Sequence, residues 1–303
     1  MTASASPTPT AAISRVGVVG GGLMGSGIAQ VSAHAGLTTI VRELNEPLCV
    51  RARAAIAKSL DKAIEKGKLT PDGRTIALSC LEFTTNLEAL ATCDIIIEAV
   101  VEDLEAKNAL WRELHALAEP RTIFASNTSS LTIAAMAAAS GRSDRLVGLH
   151  FFNPVPLMQL VEVVQTITTS AETLDRSLAF VRRIGKQPIV ARDQSGFIVN
   201  RLLIPYMLDA IRALENGVGS ITDIDAGMQL GAGYPMGPFT LLDFVGLDTV
   251  QRVAEVMFDE YREQRFAPPP LLRRLVLAGH IGRKSGRGFY DHSVDPPAPS
   301  RLV

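Results

Sequence analysis

Two groups of residues in this chain have the types and spacing to do chemistry. The stretch VGVVGGGLMGSGIAQ, from Val16 to Gln30, crowds glycines where an apolar run of strand length meets residues at helical spacing. Gly20, Gly22 and Gly25 form the pattern G-x-G-x-x-G. The first permits a tight turn, the second lets the backbone approach a diphosphate with no Cβ in the way, and the third lets helix pack closely on strand. A helix N-terminus there, carrying Leu23 and Met24, offers unpaired N–H groups and partial positive charge to phosphates. Glu43 ends the next strand-like run, where a carboxylate can accept bonds from the two adenosine ribose hydroxyls and repel the 2′-phosphate of NADP. Arg42 beside it leaves NADP open as an alternative to NAD.

The second group is His150 with Glu162. An enzyme that oxidises an alcohol must take a proton from oxygen while hydride leaves carbon, and histidine is the usual base. His150 closes the run RLVGLH at a C-terminal sheet edge, where ligands bind in folds of this kind. After the turn made by Asn153, Pro154 and Pro156, Glu162 lies in the next strand-like run. If the two runs are neighbours, the carboxylate can bond one ring nitrogen and leave the other for a substrate oxygen. Taken singly, a histidine at a strand end is more often a hydrogen-bonded structural residue than a base.

These residues need a scaffold. Short β-branched runs alternate with helical patterns between Arg15 and about Ala191, the rhythm of a parallel sheet flanked by helices. Strands are expected at Arg15 to Val19, Thr38 to Val41, Leu81 to Thr84, Asp94 to Ala99, Thr122 to Ala125, Arg145 to Leu149, Gln159 to Val164 and Gln187 to Val190. Residues 47–68 read as a protruding helical arm or hairpin. Beyond Asp193 the period becomes helical: one helix runs to Gly217, a second starts with Thr222 as N-cap, a third covers Pro238 to Glu263, and a fourth runs from Pro269 or Pro270 to Gly279. The expected architecture is an α/β Rossmann-like, mostly parallel sheet domain over 13–192, followed by an all-helical C-terminal domain over 193–303.

The totals narrow the function classes. At 303 residues with net charge −1, the chain suits two domains and carries no strong surface field, which disfavours nucleic acid as a partner. No run of apolar residues is long enough for a membrane span. Residues 1–12, MTASASPTPTAA, read as a disordered tail and not a signal peptide, so a cytoplasmic location is expected. Cys49, Cys80 and Cys93 read as buried thiols, and the five scattered histidines make a metal site improbable.

The stretches SNTSSL (126–131), GLHFFNPVPLMQLVEVV (148–164), SGFIVNRLL (195–203), YPMGPFTLLDFVGLD (234–248) and GRKSGRGFYD (282–291) resemble the 3-hydroxyacyl-CoA dehydrogenase family, specifically its short bacterial 3-hydroxybutyryl-CoA dehydrogenases. The resemblance runs from about residue 14 to 291, with the motifs in order. It implies NAD-dependent, reversible conversion of an (S)-3-hydroxyacyl-CoA to the 3-oxoacyl-CoA, with His150 as acid/base and Glu162 as its orienting carboxylate. It further implies that Ser129 and Asn200 bond the reacting oxygen or thioester carbonyl, and that Asn153 helps hold loop and cofactor. Glu102 and Lys107 would touch the ribose and nicotinamide side of NAD, with Asn127 and Ser129 also at the cofactor. Ser126, Thr128 and Ser130 are read as helix caps, and Gly21 as occupying a variable place. Lys58, Lys62, Lys66 and Lys68 form a group toward the CoA phosphates, diluted by Asp61 and Glu65. The helical domain is expected to form a homodimer interface. GRKSGRGF is read as a turn that packs Phe289 and Tyr290 into the core. A dehydrogenase of non-CoA hydroxy or sugar acids, of the gulonate type, and a non-catalytic dinucleotide-binding protein are the competing functions.

Overall fold

The computed structural model describes residues 12–301, so residues 1–11 of the tail lie outside the described residues. The chain divides into two compact units, 1–194 and 195–303.

The first unit is built on one sheet of eight strands: β1 (Arg15–Val19), β2 (Thr38–Arg42), β3 (Leu81–Thr84), β4 (Ile95–Glu98), β5 (Ile123–Ser126), β6 (Leu146–Phe151), β7 (Leu160–Gln165) and β8 (Gln187–Arg192). Their order is β3-β2-β1-β4-β5-β6-β7-β8. Every neighbouring pair is parallel except β6 with β7. The order reverses between β1 and β4, the crevice where sheets of this kind place ligands beyond the C-terminal strand ends. Central strands such as β4, IIIE, are buried at every position, since helices cover both faces.

Among the described residues six α-helices accompany this sheet: α1 (Leu23–His34), α2 (Glu46–Glu65), α3 (Pro71–Ser79), α4 (Leu104–Leu117), α5 (Ile133–Ala139) and α6 (Ala171–Arg183). The arm expected over 47–68 is one helix, α2, followed by α3. Ile56 and Leu60 of α2 belong to the sheet's hydrophobic core, so one face of it is packed and not protruding. Cys49 and Cys93 are buried while Cys80 is half-buried, and burial pushes the Cys93 thiol up to about 12, keeping it protonated and inert.

The second unit holds α7 (Val199–Glu215), α8 (Ile221–Ala226), α9 (Pro238–Val245), α10 (Leu247–Tyr261) and α11 (Pro270–Leu277) around a separate apolar core. Two boundaries differ from the sequence reading. Ser220, not Thr222, caps α8 by accepting from the Asp223 N–H at 3.1 Å. The helix expected from Pro238 to Glu263 is two helices, because Gly246 takes φ 99°, outside helical space, and breaks the ladder. Phe289 is fully buried against Phe239, with ring centroids 4.6 Å apart. The buried Asp243 carboxylate holds that turn, accepting from the Phe289 and Tyr290 N–H groups at 2.8 Å each. No described helix is long and apolar enough to cross a membrane.

Asp94 fastens the start of the sheet. Its Oδ2 accepts from Ser14 N (2.8 Å), Ser14 Oγ (2.9 Å) and Arg15 N (2.9 Å), and Arg121 lies 3.6 Å from Oδ1. Burial alone would raise this carboxyl's pKa, but those donors together hold it below the ordinary carboxylate value. A folded pKa below the unfolded one, about 3.9, contributes stability that is present above about pH 4 and lost as pH falls through the folded value. Asp94→Asn should therefore lower the urea midpoint at pH 7, and the gap to the parent protein should be narrower at about pH 3. A gap that is the same at both pH values would exclude this carboxylate as a source of acid sensitivity.

Candidate active site

The ends of β1, β4, β5 and β6 line one edge of the sheet, because these strands run parallel. The chain leaves β1 at Gly20, whose φ of 93° suits glycine, and a Cβ there would stand 2.7 Å from the Ala99 carbonyl oxygen. A Cβ on Gly25 would lie 1.7 Å from the Gly20 oxygen. Gly21, read as a variable position, is packed too: its Cβ would meet that of Ala52 in α2 at 2.7 Å. Gly22 is different. Its φ of −65° is open to any residue, and nothing lies within 4 Å of where its Cβ would be. The protein's own packing does not require glycine there, whereas a ligand resting on the backbone would.

Leu23 and Met24 begin α1, which has no side-chain cap and no acid in its first turn. By contrast α2 and α4 are capped by Asn45 and Asp103. An uncapped, partially positive helix end beside a gap the size of a side chain fits a dinucleotide diphosphate. Glu43 is buried next to it, with Oε1 accepting from Gly21 N at 2.7 Å and Oε2 from Leu44 N at 3.1 Å. Arg42 turns toward the other neighbour, donating Nε to the Thr85 carbonyl at 3.3 Å. The carboxylate, not the guanidinium, borders the glycine loop, which suits a free 2′-hydroxyl.

Beyond β4 and β5, Glu102 Oε1 accepts from the Thr128 hydroxyl and from Ser129 N at 3.2 Å. Lys107 is buried, with its ammonium against Glu98 and Glu102, so any effect on a cofactor runs through Glu102. Asn127 Oδ1 accepts from Phe151 N at 3.0 Å and ties this loop to the end of β6. Ser126, Thr128 and Ser130 do not cap a helix. Ser126 is the last residue of β5, and the first N–H groups of α5, Ile133 and Ala134, are met instead by the Asp193 carboxylate at 2.9 and 2.6 Å.

Antiparallel pairing of β6 with β7 sets His150 directly opposite Glu162. Opposed residues project on one face, and the side chains meet: Nδ1 lies 2.6 Å from Glu162 Oε2. The imidazole is 6% exposed and the carboxylate fully buried. Phe152 packs on the ring, with centroids 4.5 Å apart. The turn after β6 holds Asn153 and lines, with α1 and α2, a cavity of about 310 Å³ to which Gln30, Arg51 and Ser59 contribute polar groups. Two residues the sequence reading passed over support this edge. Glu98 was visible as a lone acid closing an apolar strand. Lys186 had no such signal; its buried ammonium donates to the Val155 and Met158 carbonyls at 2.7 Å each and clamps the turn. Asn200, in α7, belongs to the second unit.

Residues 15–194 match the model of the 3-hydroxyacyl-CoA dehydrogenase NAD binding domain, and residues 196–292 match that of its C-terminal domain. The chain belongs to the 3-hydroxyacyl-CoA dehydrogenase family. It is 48% identical over 283 residues to a 3-hydroxybutyryl-CoA dehydrogenase of Mycobacterium tuberculosis, covering 93% of this chain and 99% of the relative. The human mitochondrial hydroxyacyl-coenzyme A dehydrogenase is 44% identical, with 92% of this chain and 91% of that one covered. The crystal structure of (S)-3-hydroxybutyryl-CoA dehydrogenase from Ralstonia eutropha superposes with TM-score 0.90 at 40% identity, covering 93% of this chain and all of that one (100%). NAD is the cofactor of this 3-hydroxyacyl-CoA dehydrogenase, whose NAD binding domain is the first unit.

The glycines separate fold from ligand experimentally. Gly25→Ala should cost about 3 kcal/mol in a urea melt, since backbone must move to admit the methyl group. Gly22→Ala should change stability by less than about 0.5 kcal/mol yet weaken NADH binding measured by fluorescence titration. Unchanged NADH affinity in Gly22→Ala would show that the diphosphate does not lie on this residue.

Proposed function

We propose that this chain catalyses the reversible NAD-dependent oxidation of an (S)-3-hydroxyacyl-CoA to the 3-oxoacyl-CoA, with 3-hydroxybutyryl-CoA, the substrate in the names of its relatives, as its substrate. The observation that carries this reading is the 2.6 Å contact of His150 with Glu162 in a chain whose first unit is an NAD binding domain. Glu162 holds a proton on Nδ1 and so directs Nε2 to the substrate oxygen. Nε2 takes the proton of the 3-hydroxyl during oxidation and returns it during reduction. The imidazolium formed in between is stabilised by the buried carboxylate beside it. Bound NAD would supply the acceptor for the hydride that leaves C3.

Ser129 and Asn200 act as neutral donors to the reacting oxygen or thioester carbonyl, which stabilises developing negative charge without trapping it. Asn127 and Asn153 hold the loops around the base, and Glu43 accepts from the adenosine ribose. The CoA phosphates lie toward α2 and its end, where Lys58, Lys62, Lys66 and Lys68 are exposed. Asp61, which would dilute that charge, is drawn to Arg74 at 2.7 Å. The helical unit exposes Leu202 (67%) and Leu230 (88%), apolar surface that supports a homodimer through this unit. The enzyme works in the cytoplasm.

Purified protein should oxidise NADH when given acetoacetyl-CoA. His150→Ala should lower turnover by about 10²- to 10⁴-fold, the range of general acid/base catalysis, while NADH still binds. Near-parental turnover in that variant would remove His150 from the chemistry. Equal turnover of free acetoacetate would move the substrate to non-CoA hydroxy acids. Intact NADH binding with no turnover of either compound would leave a dinucleotide-binding protein.

A further inference from the structure

Glu98 ends β4 with a side chain that is fully buried. A carboxylate there is costly unless each oxygen is met by a donor. Both are met. Oε1 accepts from Val100 N at 2.8 Å and from Lys107 Nζ at 2.5 Å, and Oε2 accepts from Ser126 Oγ at 2.6 Å. Its main-chain oxygen accepts from Asn127 N at 2.9 Å. The same ammonium of Lys107 reaches Glu102 Oε2 at 3.1 Å.

Two carboxylates thus share one buried cation, on unequal terms. Glu98 takes the shorter contact and is sealed from solvent, whereas the Glu102 side chain is 22% exposed and takes the longer one. The surplus negative charge of the trio is left on the exposed member. Glu102 is also the group that holds the loop carrying Ser129, through the Ser129 N–H and the Thr128 hydroxyl.

We propose that Glu98 is a positioning residue for dinucleotide binding: by retaining Lys107 on its own carboxylate, it leaves Glu102 charged and correctly placed to accept from a hydroxyl of the bound cofactor. This inference rests on the NAD-dependent reading above. Without the Glu98 charge, Lys107 pairs with Glu102 alone, neutralises it and draws it inward. The cost falls on cofactor affinity before it falls on proton transfer, because His150 and Glu162 stand on other strands.

The test uses the full-length protein with Glu98 replaced by its isostere, Glu98→Gln. NADH binding, followed by fluorescence titration in the absence of acyl-CoA, should weaken about tenfold, the worth of one hydrogen bond to a charged group. In turnover, KM for NADH should rise in step while KM for acetoacetyl-CoA and kcat at saturating NADH stay within about twofold. Replacing the stranded cation as well, in Glu98→Gln/Lys107→Met, should recover part of the NADH affinity, which a purely structural role would not produce. A milder variant, Ser126→Ala, removes one donor from Glu98 and should weaken NADH binding about threefold; it serves if Glu98→Gln does not fold. A soluble Glu98→Gln protein with parental NADH affinity overturns the proposal. So does a failed Glu98→Gln together with a Ser126→Ala protein whose affinity is unchanged. A parental protein that binds NADH but does not reduce acetoacetyl-CoA instead overturns the substrate reading, and the binding comparison still decides the role of Glu98.

Discussion

The register of β6 against β7 is the constraint on which the rest of the site depends. These are the two neighbouring strands of the sheet that run in opposite directions, and their pairing sets His150 across from Glu162. Side chains alternate faces along a strand, so a slip of one residue would send the carboxylate to the opposite face and leave it buried without its partner. A fully buried carboxylate beside valines at 161, 163 and 164 would then be costly in free energy. The need to satisfy Glu162 therefore specifies the register, and the register in turn delivers an oriented imidazole at the sheet edge.

The turn joining those strands is held from outside its own sequence. Lys186, just before β8, donates to two of its carbonyls, and Asn127, beyond β5, accepts from Phe151 at its entrance. Burial without a carboxylate partner lowers the pKa of Lys186, yet the two carbonyls give its N–H groups acceptors. The end of β6 and the turn after it are thus tied to neighbouring segments by polar side chains. Polar side chains from neighbouring segments, and not the turn's own sequence, hold the His150 end of β6 in place.

What could be read in the sequence follows the range of the interaction. All eight sheet strands were legible, with ends displaced by at most a residue or two; the central ones stood out most because strands covered on both faces are apolar throughout, whereas the edge strands β3 and β8 carry exposed polar residues. The glycine loop and the His150–Glu162 pair were legible because their spacing is local. The break at Gly246 was not, since the apolar stripe continues across it and only the backbone angle reveals the interruption. Ser220 and Thr222 are both good caps, and composition alone does not choose between them. Lys186 and Lys107 looked like ordinary lysines. Their partners Val155 and Met158, or Glu98 and Glu102, become neighbours only when the chain is folded, so their burial carried no sequence signal.

The glycine loop contains two kinds of constraint under one pattern. Gly20, Gly21 and Gly25 are small because Ala99, Ala52 and the chain itself occupy the space a Cβ would take. Gly22 faces no protein atom within 4 Å and adopts an ordinary φ, so packing and strain leave its identity unexplained. A residue whose smallness serves nothing within the chain is explained by something the chain binds. The pattern by itself records four small residues in a turn. The geometry divides them: three are small because the fold fills the space beside them, and Gly22, at an uncapped helix end beside Glu43, is left with no reason for its smallness in packing or strain.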